Sequence, residues 1–133
     1  MAHKAVTKSE LEKRIRKLSC QVTGSSNISI HHCQGGTMSV ALTARGLDGT
    51  KGLGQRGYSD ALIIPIHPEL HYFGPEAIDG HIGRSRWELK YGHQCDHLDA
   101  VGEQVGCDLW ELHALWTGQS ELYIPLKTPF KKP

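Results

Sequence analysis

The chain of 133 residues has the length of one ordinary domain. Its 38% hydrophobic and 22% charged residues exclude a disordered, collagen-like or membrane-embedded chain, and its longest apolar run, residues 61–66, is far too short to span a bilayer. The net charge of +1 is unevenly spread, at +4 over residues 1–17, +2 over 18–59, −8 over 60–123 and +3 over 124–133, so the basic first half can meet a polyanion on one face.

The N-terminus has no apolar stretch behind its charges, so no secretory signal is expected. Cys20, Cys33, Cys95 and Cys107 form no Cys-x-x-Cys pair and are expected as reduced thiols of a cytoplasmic protein. A domain of this length needs neither disulfide nor structural metal to fold.

Residues 8–18 predict a helix, with Leu11, Ile15 and Leu18 recurring on one side. A polar turn at residues 24–27 leads into a short strand, Ile28-Ser29-Ile30, that runs on to His31-His32. Residues 35–59 hold seven glycines and few large apolar side chains, and predict a long loop. Residues 61–66 predict a second strand, with Pro65 suiting an edge position. His67-Pro68-Glu69 opens a two-turn helix that Gly74-Pro75 stops. Ser85 is placed to cap a long helix reaching Gly102, with Trp87, Tyr91, Cys95, Leu98 and Val101 on one stripe. Asp108 caps a last helix that turns Leu109, Leu112 and Trp116 inward, and residues 122–126 are extended and apolar. Together these elements predict an α+β domain.

Nine histidines are many for this length, and their placement carries the chemistry. Neighbours on a strand face opposite ways, so the doublet suits two different tasks. On a helix, residues four apart share a face, so His67 and His71 can meet one ion. His93, Cys95 and His97 look like a second cluster, but residues two apart on a helix diverge by about 200°, so a core thiol flanked by exposed imidazoles is expected. His113, among Leu112, Ala114 and Leu115, reads as a packing histidine, and Trp87, Trp110 and Trp116 as core.

At Ile28-Ser29-Ile30-His31-His32, and again at Ser59-Asp60 and Ile64-Pro65-Ile66-His67-Pro68-Glu69-Leu70-His71-Tyr72-Phe73-Gly74, the chain resembles the HNH (ββα-metal, His-Me finger) endonucleases. Within them it is most similar to the phage RecA-dependent nucleases, the Ref-like recombination enhancement family, which Arg86-Trp87-Glu88 and Tyr91-Gly92 also resemble. The resemblance implies a ββα-metal core with flanking helices: a basic N-terminal helix over 1–19, a nuclease domain over 20–118 and an extended tail over 119–133. It makes His31, His67 and His71 metal ligands and His32 the general base. Many relatives have Cys at the position of His67, and the Cys-x-x-Cys zinc pair common near Cys20 is broken here by Thr23.

The activity implied is phosphodiester hydrolysis in DNA with one divalent ion, Mg²⁺ or Mn²⁺ in function, while an all-imidazole shell also takes Zn²⁺, Ni²⁺ or Co²⁺. A phage or prophage origin, a RecA-type recombinase filament as partner, and no membrane are likewise implied. Arg45, Lys51 and Arg56, in a glycine-rich arm over 44–58, are expected to follow successive DNA phosphates. The alternative is a non-catalytic nucleic-acid- or protein-binding module with a structural zinc, its fourth ligand Cys33 or His81.

Overall fold

A computed structural model describes residues 6–48 and 59–126. The first helix, α1 (Lys8–Ile15), starts where the Thr7 hydroxyl accepts the Glu10 N–H at 3.1 Å, and it buries Leu11 and Ile15 one turn apart. Its outer face carries the pairs Glu10–Arg14 and Glu12–Arg16, each four residues apart.

Two short strands, β1 (Ser29–His32) and β2 (Ile63–Ile66), form an antiparallel pair in which Ser29 faces Ile66 and His31 faces Ile64. Every residue of β2 is buried, whereas in β1 only His31 is. That Pro65 sits in β2 fits an outer strand, since it has no N–H to give. Between the strands lies a helix the sequence did not predict, α2 (Met38–Ala44). The seven glycines of 35–59 masked it: Gly35, Gly36 and Gly46 stand outside it, and Met38, Ala41 and Leu42 make a buried stripe within it.

After β2 comes a single π-helical turn, Glu69–Phe73, closed by Gly74 N–H donating to the Glu69 carbonyl at 3.0 Å. The predicted long helix is two, α3 (Arg84–Tyr91) and α4 (Gln94–Val105), because Gly92 at φ 101° and ψ 157° leaves helical space. Helix α5 (Leu109–Trp116) begins as expected, with the Asp108 carboxylate accepting from Trp110 and Glu111 N–H groups.

Helix α4 packs on α1, α2, β2 and α5, so the core is assembled around it from Leu11, Ile15, Leu42, Ile64, Leu98 and Leu112, all of them fully buried. The extended end folds back on α2, where Ile124 N–H donates to the Arg45 carbonyl at 2.9 Å. Helices and one two-stranded sheet in a common core make the fold α+β. No helix among the described residues is long and apolar enough to cross a membrane.

Candidate metal centre

Strand alternation sends His31 to one face of β1 and His32 to the other. His31 is wholly buried, and its Nδ1 lies 3.1 Å from Asp79 Oδ2. His71, on the π-helical turn, brings Nε2 to 3.1 Å from the same oxygen. The two imidazoles meet edge to face, with ring centres 5.2 Å apart. Asp79 is carried back to them by backbone bonds from Ile78 N–H to Leu70 (2.7 Å) and from Asp79 N–H to His71 (2.9 Å). Arg84 holds the other Asp79 oxygen at 3.3 Å, which leaves Oδ2 for the histidines.

Burial works to raise the Asp79 pKa, but the hydrogen bonds and charge of His31 and His71 outweigh it and hold the carboxyl far below the ordinary range. One donor atom from each of His31, His71 and Asp79 lies within 4.8 Å of the others. Two imidazole nitrogens and one carboxylate oxygen suit a divalent transition ion and leave positions open for water or substrate.

Across the strand, His32 lines a cavity of about 640 Å³ together with Lys8, Arg16, Asp60, Tyr72 and His71. Its Nε2 is 3.5 Å from Asp60 Oδ1. Partial burial lowers the His32 pKa, and Asp60 only partly offsets this, which favours the neutral ring. His71 is thus common to the histidine–aspartate group and the cavity.

Several expected roles are redistributed. His67 does not join His31 and His71; it precedes the π-helical turn, and its Nδ1 accepts the Glu69 N–H at 3.1 Å. Its place is taken by Asp79. Arg45 is corrected from a DNA contact to a core residue. It is 4% exposed, stacks 3.9 Å over the Trp110 ring, and lies 3.6 Å from Asp99. Lys51 and Arg56, with most of the proposed arm, lie outside the described residues.

Among the described residues neither Cys33 nor His81 joins the metal-ligating group, so the fourth ligand of a closed zinc site is not supplied by them. Cys33 is buried, which pushes its thiol well up. Cys95, pushed up to about 11 by burial, packs against the core, while His97 bonds the Tyr91 carbonyl at 2.8 Å. The expected core thiol between exposed imidazoles is corrected: Cys95 is only half-buried, His93 stands before α4 as its N-cap, and the half-buried His97 ring lies against Trp87.

Sequence reasoning missed Asp79 and Gln94, and picked out Asp60 only within the Ser59-Asp60 block, without a role. Gln94 is fully buried at the start of α4, with Oε1 2.9 Å from His31 Nε2. The one available signal was its position just after Gly92, where a helix break turns a polar side chain inward. Comparison with protein-family models, curated proteins and solved structures finds no match to this chain.

Proposed function

We propose that the protein is a metal-dependent DNA endonuclease with a ββα-metal core, in which β1, the π-helical turn and the turn that carries Asp79 would hold the ion. The observation that carries this is His71, which joins His31 and Asp79 on one side and the His32-lined cavity on the other. Through His71 the potential metal site adjoins a space, lined also by His32, that is large enough for a phosphodiester. The all-histidine site first expected becomes two histidines and an aspartate.

His31, His71 and Asp79 would hold a divalent ion, which would supply stabilisation of the charge that develops on the phosphoryl oxygens. His32 accepts the proton of the attacking water at Nε2, and Asp60 beside that nitrogen steadies the resulting imidazolium. The water oxygen bonds to phosphorus in line as the bond to the 3′-oxygen breaks. The family resemblance implies a 5′-phosphate and a 3′-hydroxyl as products. Lys8 and Arg16, in the same cavity, are the groups to meet flanking phosphates; Lys8 now pairs with Asp60 at 3.3 Å and Arg16 with Glu12 at 2.7 Å, so DNA competes for both. Action with a RecA-type filament, in recombination or repair and in a phage setting, rests on the motif resemblance alone.

The test is nicking of supercoiled plasmid with Mn²⁺ or Mg²⁺, with and without chelator. His32→Ala should lose about 10²-fold or more in rate, the usual scale for a positioned base, yet bind metal as the parent does. Cleavage by His32→Ala at the parent rate, or no cleavage by the parent with any divalent ion, would sink the reading.

A further inference from the structure

We infer that Tyr72 and Phe73 form a stacking platform for unpaired DNA bases beside the His32-lined cavity, so that the strand taken there is single or locally opened. This rests on the reading of that cavity as the place where DNA is cut, and it names the substrate class.

Aromatic side chains carry a large apolar area, and this fold hides nearly all of it. Among the described residues Trp87 and Trp110 are buried, and Tyr91, Trp116 and Tyr123 are half-buried. Tyr72 and Phe73 are the exceptions, 48% and 73% exposed. They stand side by side, with ring centres 4.5 Å apart and planes at 65° to one another. Tyr72 meets the His71 ring in turn, edge to face, at 4.3 Å. Three rings therefore run outward from the histidine–aspartate group to solvent.

The backbone beneath them is tied on both sides. Gly74 N–H closes the π-helical turn on the Glu69 carbonyl at 3.0 Å, and Ile78 and Asp79 N–H groups donate to the Leu70 and His71 carbonyls. The two exposed rings are thus displayed before any partner arrives, which lowers the entropy cost of contact.

The surroundings decide the partner. Tyr72 shares the cavity with Lys8 and Arg16, which pair there with Asp60 and Glu12. Ion pairs as exposed as these are weak, so phosphates can replace the carboxylates. Cations for phosphates beside bare rings for base faces are the means by which proteins hold a single strand. A duplex fits the rings poorly, because its bases face one another and show only their edges in the grooves.

The test is fluorescence anisotropy with three dye-labelled probes: a short thymidine strand, its duplex with the complementary strand, and an abasic strand with the same phosphates. All are measured in chelator, so nothing is cut and no metal is needed. The parent should bind the thymidine strand more tightly than either other probe. Tyr72→Leu and Phe73→Leu keep apolar bulk without an aromatic face, and each should bind that strand about 5- to 100-fold more weakly. Their affinity for the abasic strand should equal the parent's, and Phe73→Trp should retain the parent's binding of thymidine. Phe73 is so exposed that its replacement should leave the fold intact, which circular dichroism checks.

Thymidine binding at the parent's level in both Leu variants overturns the inference, and leaves the rings to another partner such as a protein. An equal loss on the abasic strand, a preference of the parent for the duplex, or no binding of any probe by the parent overturns it too. The nuclease reading fails separately, on the absence of cleavage with added divalent ion, whatever these affinities are.

Discussion

Asp79 Oδ2 lies at the same 3.1 Å from a nitrogen of each of His31 and His71, so one carboxylate oxygen organises the whole group. Asp79→Asn keeps the size and removes the charge. Its affinity for Mn²⁺ or Zn²⁺ should fall by at least the roughly 10- to 100-fold that loss of an outer partner costs a metal site. His67→Ala should leave that affinity unchanged, and titration calorimetry of the two variants checks both statements. An equal loss in both would return His67 to the ligand set. At this scale the sequence told half of the site. His31 and His71 were readable because a strand-end doublet and a His-x-x-x-His block are visible as spacing. Asp79 was not, since it is eight residues beyond His71 and returns only through the backbone bonds of a non-helical turn. The rule that residues four apart share a face holds inside a helix. His67 lies before its helical turn begins, and its ring is spent on the Glu69 N–H. Arg45 shows the converse limit: a lone cation in a polar-looking segment reads as exposed, and only the fold reveals the Trp110 ring beneath it.

The break between α3 and α4 does for the elements what Asp79 does for the residues. In one unbroken helix the Gln94 N–H would bond to the Lys90 carbonyl. Here it bonds to Glu88 Oε2 at 2.9 Å, and α4 sets off in a direction that points Gln94 at His31. Gly92 makes this possible, because φ 101° with ψ 157° is a region essentially reserved to glycine. Gly92→Ala should therefore destabilise the fold by about 1–3 kcal/mol, the usual cost of such a conformation. Its added methyl would also come within 3.3 Å of His97 Nε2. A urea midpoint unchanged from the parent would show that the helices join without strain. The apolar stripe that predicted a single helix was real, in that Trp87, Leu98 and Val101 are all buried. Periodicity reports which faces are apolar and passes over a one-residue break between them. In α2 the error ran the other way, because glycines counted over 25 residues outweighed a seven-residue stripe.

For the whole molecule, the buried histidine on α5 ties stability to pH. His113 is wholly buried, with Nδ1 2.7 Å from the Ser59 hydroxyl and Nε2 without a hydrogen-bond partner among the described residues. Burial lowers its pKa to about 4, against roughly 6.5 for an exposed imidazole. The unfolded chain therefore binds a proton in a range where the folded one does not. The stability that follows is fully present above about pH 6.5 and is lost as pH falls toward about 4. A difference of that size corresponds to about 3 kcal/mol, a large share of the roughly 5–15 kcal/mol that holds a domain together. His32, lowered by its own partial burial, acts in the same direction. Asp79, a depressed carboxylate, contributes its loss only lower, from about pH 4 downward. Urea denaturation at steps between pH 7 and pH 4 measures the slope. His113→Leu removes the titrating ring and the Ser59 bond together, so it should start about 1 kcal/mol less stable at neutral pH. It should then lose less as the solution is acidified, so the two curves should meet and cross before about pH 4. Parallel curves over that range would mean that the acid sensitivity comes from another group and that His113 accepts its proton at little cost to the fold.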